Sequence, residues 1–272
     1  MNKNKNIGCD ECHWSGFKVD GNGIYANAEL CACVENCTEC AGGGTLLSKN
    51  EKSYSYVSPC PNCGVIRRNV KLYNMAGVPA KYHEVLQVDA GLVPGNNKSL
   101  QKALKYAKEE FVKKYPDKKG FLLMGPSGLG KTHLAVGTIS ELTLKHGVKC
   151  LFKDFFYLLS DLKTAYSEGT PENDVIQPLI EIDVLVIDEL GKAKSNDWEL
   201  NILDQIISKR YNASRQTLIT TNYVSEDIAK DLGETHEVLE NRVGERIASR
   251  LYEMCDFIHL KGKDYRRDKK KA

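Results

Sequence analysis

Apolar positions change their rhythm along the chain. From residue 120 onward, short apolar runs alternate with stretches of helical spacing. Residues 121–124 and 148–152 predict strands, with a helix over about 131–145 between them and a second helix over about 154–166. Val184–Asp188 is apolar on both alternating faces, as a central parallel strand is. A helix over about 197–211, a strand at 217–221, a helix over about 237–254 and a short strand at 257–260 complete the series. This order predicts an α/β domain with a largely parallel sheet. Just before it, Leu104, Ala107, Phe111 and Tyr115 share one helical face while Lys98, Lys102, Lys105 and Lys113 lie elsewhere, and Pro116 stops the helix.

The first 63 residues behave differently. Periodicity is weak, Gly, Ser and Asn are frequent, and apolar side chains are too few to fold the segment by burial alone. Residues 64–98 change character again and end in a Gly/Pro/Asn-rich stretch at 92–99 that reads as a linker. The expected organisation is a cysteine-rich adaptor over 1–68, a linker and lead-in over 69–98, and the α/β domain over 99–272 with a basic C-terminal tail.

Composition narrows the class. With 42% hydrophobic and 27% charged residues in 272, the chain is globular rather than fibrous or disordered. No apolar run reaches the roughly 18–20 residues of a membrane span and the N-terminus lacks a secretory signal, so the expectation is a cytoplasmic protein with no membrane contact. Ten cysteines in a reducing compartment point to metal rather than disulfides. Eight of them form an internal repeat: Cys9 and Cys12 with Gly16, closed by Cys31 and Cys33, then Cys37 and Cys40 with Gly44, closed by Cys60 and Cys63. Two sets of four thiolates suit tetrahedral Zn²⁺ in a zinc-ribbon-like module. Sequential pairing is the economical arrangement, with interleaved pairing and an iron–sulfur cluster as the alternatives. Cys150 and Cys255 are expected in the core.

The net charge of +2 is an average. Residues 1–68, 69–260 and 261–272 carry formal charges of 0, −3 and +5. The tail and the segment Lys98–Lys119, with eight basic against three acidic groups, suit a phosphate backbone, the plain alternative for the tail being a solvated charged end. Trp198, near Lys192 and Lys194, and the run Phe155, Phe156, Tyr157 offer aromatic surfaces for stacking, the plain alternative being core aromatics.

The sharpest signal is Gly125-Pro126-Ser127-Gly128-Leu129-Gly130-Lys131-Thr132, a complete G-x-x-x-x-G-K-T phosphate loop between a predicted strand and a predicted helix. Its backbone N–H groups and the helix N-terminus cradle phosphates, Lys131 reaches the β and γ phosphates, and Thr132 ligates Mg²⁺. His133 is counted with this cofactor-binding stretch. Val184–Asp188 ends in the carboxylates Asp188, suited to Mg²⁺, and Glu189, suited to activating water for attack on the γ-phosphate of ATP. Asn222 follows the strand at 217–221, where a polar residue stands beside the γ-phosphate, the plain alternative being an Asx turn. Arg246 and Arg250 share a helix face, from which such a pair reaches a phosphate across a subunit interface or forms an ordinary salt-bridged surface.

These motifs, in the order GPSGLGKTHLA, VLVIDELG, IISKRYN with TLITTN, and GERIASRL with DYR, resemble the AAA+ ATPases of the DnaC/DnaI helicase-loader group, which includes IstB-type transposition helpers. The resemblance covers roughly residues 70–267. It implies a P-loop core whose helical lid is absent or vestigial, with Asn222 as sensor 1, Arg246 and Arg250 in the arginine-finger region, Arg250 the preferred trans finger, and Arg266 at the sensor 2 position. It further implies an ATPase that self-associates when ATP is bound, contacts single-stranded DNA, and helps place a replicative helicase on it through an N-terminal domain. The alternatives are an IstB-like helper of a transposase and a zinc-dependent interaction module switched by nucleotide. The eight cysteines and their duplication depart from the group's pattern.

Overall fold

The computed structural model describes residues 9–89, 97–192, 196–233 and 237–268. The tail residues 269–272, most of the linker stretch and Lys194 lie outside these. The chain forms two compact units, residues 1–86 with 140–149, and residues 87–139 with 150–272. The sequence divided the chain at 68 and 98 instead. The difference arises because the helix α2 (Gly64–Met75) leads directly out of the last cysteine pair and stays with the first unit. Its Asn74 amide bonds both backbone groups of Ala28, accepting from Ala28 N at 2.7 Å and donating to Ala28 O at 2.9 Å.

The first unit is built on its repeat. Strands β1 (Phe17–Asp20) and β2 (Asn27–Leu30) form one antiparallel hairpin, and β3 (Thr45–Lys49) and β4 (Ser55–Pro59) form a second. The short helix α1 (Ala32–Glu35) joins them. The buried centre of the second half is Val34 with Cys37, Cys60 and Cys63, packed by Leu30 and Ile66. Such a centre is small, as the scarcity of apolar positions requires. Asn69, 3% exposed, donates to Leu144 O at 2.9 Å within the same unit.

The second unit contains a five-stranded sheet, all parallel, in the order β6-β7-β8-β5-β9. The strands are β5 (Gly120–Met124), β6 (Cys150–Asp154), β7 (Val184–Asp188), β8 (Gln216–Thr221) and β9 (Cys255–His259). β5 and β7 are buried throughout, matching their unbroken apolar runs. The expected α/β architecture with a parallel sheet is present. Helices α3 (Lys98–Lys105), α4 (Lys131–His146), α5 (Phe155–Ser167), α6 (Glu172–Glu181), α7 (Asp197–Asn212), α8 (Glu226–Leu232), α9 (Leu239–Val243) and α10 (Glu245–Met254) fill the connections, and α11 (Tyr265–Asp268) follows β9.

Several differences from the sequence reading in the second unit are local. The helix expected over 237–254 is two helices, because Gly244 adopts φ +81° and interrupts the hydrogen-bond ladder. After α3 the helix widens to a π-helix over Tyr106–Val112, and the buried face runs through Leu100, Ala103, Ala107 and Phe111, leaving Leu104 and Tyr115 half-buried. The strand expected at 148–152 begins at Cys150, and α6 was missed because Pro178 stands inside it. Cys150 and Cys255 are buried, as expected.

Candidate nucleotide site and cysteine clusters

β5 ends at Met124, and residues 125–130 turn before α4 opens at Lys131. Gly128 holds φ +80°, and a Cβ there would lie 1.7 Å from Asp264 Oδ1, so glycine alone closes this turn. The N–H groups pointing out of the start of the 16-residue helix α4 give the turn a positive potential suited to phosphate. Pro126 and Ser127 are exposed at its tip, Leu129 is buried beneath, and His133 lies half-buried in the first turn of α4.

Lys131 is 7% exposed. Its Nζ donates to Gly125 O at 2.7 Å, to Pro126 O at 2.8 Å and to Asn222 Oδ1 at 2.8 Å. Burial pushes the ammonium down to about 8, the Asp188 and Glu189 carboxylates pull against that fall, and the Arg266 charge adds to it. Thr132 Oγ1 donates to Asp188 Oδ1 at 2.9 Å, which ties the phosphate loop to the end of β7. Asp188 is itself buried, and burial raises its carboxyl above the usual range, against the hydrogen bonds from Thr220 and Thr132.

β8 lies between β5 and β7, and this order assembles the site. Thr220 Oγ1 donates to Asp188 Oδ1 at 2.5 Å and accepts from Glu189 N at 3.0 Å. Thr221 Oγ1 donates to Leu190 O at 2.8 Å, so the turn after β7 is bolted to β8 at two residues. Glu189 takes φ +56°, a conformation rare for a residue with a Cβ, and its carboxylate pairs with Lys192. Strain of this kind recurs where a side chain is aimed at a reaction. The contributions of Thr220 and Lys192 escaped the sequence reading. The two threonines before Asn222 were the available signal for the first.

The structure thus brings Lys131, Thr132, Asp188, Glu189 and Asn222 together. Arg266 joins them from the C-terminal side: Tyr265 N donates to Gly128 O at 3.2 Å, and Asp264 Oδ1 accepts from Arg266 N at 3.0 Å. Arg246 and Arg250 are held elsewhere, both on Asp204 of α7. Arg246 Nη2 lies 3.2 Å from one carboxylate oxygen and Arg250 Nη1 lies 3.1 Å from the other. Arg246 is the more exposed of the two, 72% against 24% for the side chains. The arrangement is chemically equipped to bind a nucleoside triphosphate with Mg²⁺ at Thr132 and Asp188, and to aim a carboxylate at water beside it.

In the first unit the thiols gather as two sets, Cys9, Cys12, Cys31 and Cys33, then Cys37, Cys40, Cys60 and Cys63, with all ligand atoms of a set within 4.8 Å of one another. The pairing is therefore sequential. Sulfur separations include 3.7 Å for Cys9–Cys12, 3.5 Å for Cys9–Cys31, 3.8 Å for Cys12–Cys33, 3.9 Å for Cys37–Cys60 and 3.5 Å for Cys40–Cys63. Four thiolates about 2.3 Å from one tetrahedral ion stand about 3.8 Å apart, whereas a disulfide needs about 2.05 Å, so the donor sets fit a single metal ion each. Backbone N–H groups of Gly16 and Gly44 donate to Cys12 Sγ at 3.3 Å and Cys40 Sγ at 3.2 Å, which neutralises thiolate charge and fixes the ligands.

Residues 65–272 match the family model described as IstB-like ATP binding protein. The replicative helicase loader DnaC of Escherichia coli (strain K12) is 34% identical over 141 residues, 52% of this chain and 56% of the relative. An ATP-binding protein of insertion sequence IS5376 from Geobacillus stearothermophilus is 31% identical over 150 residues, 55% of this chain and 56% of the relative. The chain therefore spans about half the length of the curated relatives it matches. A solved structure of the DnaC helicase loader superposes with a TM-score of 0.57 at 31% identity, covering 66% of this chain and 99% of that one.

Proposed function

Because the chain belongs to the family of IstB-like ATP-binding proteins, we propose that it is a cytoplasmic ATPase that assembles with ATP bound and assists loading of a replicative DNA helicase onto single-stranded DNA. The observation that supports the catalytic part is the joined set of Lys131, Thr132, Asp188 and Glu189, whose residue types suit phosphate binding, a magnesium site and activation of water. The similarity to DnaC supports the loading part.

The residues divide the work as follows. Lys131 exchanges its carbonyl partners for β and γ phosphate oxygens, and the N–H groups of residues 128–132 bind the same oxygens. Thr132 and Asp188 would hold Mg²⁺, which would supply neutralising charge to those phosphates. Glu189 orients water and accepts its proton, and Asn222, released by Lys131, holds the attacking water or the γ-phosphate. Arg250, with Arg246 beside it on Asp204, serves the nucleotide of a neighbouring subunit. Arg266, carried next to the loop by Asp264, contacts the nucleotide from the other side. The two cysteine sets would hold Zn²⁺, which would keep the first unit in shape as the contact to the partner. Phe156 and Tyr157, 51% and 66% exposed at the start of α5, offer bases a stacking surface.

Affinity capture from the native host with Glu189→Gln tests this reading. The variant retains nucleotide, loses turnover by about 100-fold or more, and traps the ATP-bound complex; mass spectrometry then finds the replicative helicase. A transposase in its place supports the helper role suggested by the insertion-sequence relative, and undiminished biological activity of the variant reduces nucleotide to a switch. Arg250→Ala and Arg246→Ala, each assayed alone and then mixed with Lys131→Ala subunits, identify the trans finger: the true finger variant alone binds ATP without hydrolysing it, and the intact finger of the Lys131→Ala subunits restores hydrolysis in the mixture.

A further inference from the structure

The two cysteine knuckles share three hydrogen bonds at matching positions. In the first, Trp14 N donates to Cys9 O at 3.2 Å, Ser15 N to Cys12 O at 2.9 Å and Gly16 N to Cys12 Sγ at 3.3 Å. In the second, Gly42 N donates to Cys37 O at 3.0 Å, Gly43 N to Cys40 O at 2.9 Å and Gly44 N to Cys40 Sγ at 3.2 Å. The backbone angles repeat as well. His13 and Ala41 take φ +46° and +47°, and the next residues, Trp14 and Gly42, take +63° and +79°.

The residue types do not repeat. A left-handed conformation is open to glycine and strained for a bulky side chain, so Gly42 is the residue this turn calls for. In its place the first knuckle carries an indole, 70% exposed, which contributes nothing to the unit's own core. Strain held at an exposed aromatic is explained neither by packing nor by the turn, and such outliers mark functional positions.

We propose that Trp14 is a preformed anchor for a protein partner whose surface offers an apolar pocket rimmed by basic side chains, an inference that rests on the adaptor role given above to the first unit. Tryptophan in a pocket is the commonest strong anchor of protein interfaces. A rigid knuckle presents it at little cost in ordering. Charge selects the partner: residues 9–33 hold one basic side chain, Lys18, against Asp10, Glu11, Asp20 and Glu29, and Lys18 is already paired with Glu11 at 3.1 Å. Four thiolates around a divalent ion add further negative charge. A nucleic-acid backbone is repelled by this surface, and a basic rim on a protein is attracted.

The test uses the full chain with Trp198→Phe, which leaves Trp14 as the sole indole, titrated with the purified replicative helicase of the host. The expected result is a saturable blue shift of Trp14 emission. Trp14→Gly then lowers helicase affinity at least tenfold while metal content and basal ATP turnover stay unchanged and the melting temperature is equal or higher, because the strain is gone. Trp14→Asn, which also tolerates the left-handed turn, behaves the same way. Unchanged affinity in both variants overturns the anchor, and loss of metal in both shows a structural role instead. An emission shift with single-stranded DNA in place of the helicase overturns the protein assignment. A wild-type chain without helicase affinity sinks the loader reading itself, and the anchor with it.

Discussion

Lys131 is a buried ammonium bonded to Gly125 O, Pro126 O and Asn222 Oδ1, so in the proposed function ATP binding exchanges three neutral acceptors for anionic ones. With the free-state value pushed down to about 8 by burial, the sign of the pH effect follows. Below about pH 8 the group is charged in both states and affinity is flat. Above it, phosphate favours the charged form, binding takes up a proton, and ATP affinity falls by up to about tenfold per pH unit. Calorimetric titration in buffers of different ionisation enthalpy measures that proton, and Lys131→Ala removes both the dependence and most of the affinity. The phosphate loop, Asp188 and Glu189 are legible in the sequence because each is a contiguous motif whose neighbours are set by the covalent chain. Thr220 beside Asp188, Lys192 on Glu189 and Asp204 under the two arginines are not, because these partnerships depend on strand register and helix packing.

Arg210 shows what an element boundary requires. It is fully buried in α7, and its guanidinium donates to Leu179 O at 2.7 Å, Ile180 O at 3.2 Å and Ile182 O at 2.9 Å around the end of α6, to Gln216 O at 2.5 Å, and to Thr217 Oγ1 at 3.0 Å in β8. The last carbonyls of a helix have no intrahelical donor, and one planar cation satisfies those of α6 while joining them to the sheet. Burial pushes its pKa down to about 9, with Arg215 adding to the fall. Arg210→Met leaves these acceptors buried without a donor and is expected to destabilise the fold by roughly 3 kcal/mol or more. Urea unfolding at unchanged slope measures it, and Arg210→Lys recovers only a fraction. The strongly apolar strands β5, β7 and β8 and the long helices α4 and α7 were all legible, whereas the hairpins, α2, α6 and α8 were not. The hairpin strands are four or five residues long, α2 buries only Asn69, Val70 and Tyr73, and α8 buries only Ala229, so each lacks enough apolar positions to display a period.

The two units obtain their stability from different sources, and metal removal separates them. The second has a broad aliphatic core under its sheet, from Leu122 and Leu185 to Leu251, whereas the second cysteine half of the first is centred on one valine and three cysteines. Metal analysis is expected to find about two Zn²⁺ per chain. A thiol-competing chelator should then unfold the first unit, seen as loss of hydrogen-exchange protection over residues 9–86, while the sheet strands β5 to β9 keep theirs. One ion per chain refutes the tandem sites. Among the described residues no helix is long and apolar enough to cross a membrane. The amino-acid order alone determined the α/β class, the phosphate loop, the carboxylate pair and the two sets of thiols, since motif spacing and apolar runs are properties of the chain. Only the folded molecule decided the sequential pairing of those thiols, the insertion of β8 between the phosphate loop and Asp188, the capture of Arg246 and Arg250 by Asp204, and the strained display of Trp14. Each depends on which distant segments meet, and that is governed by packing across the fold.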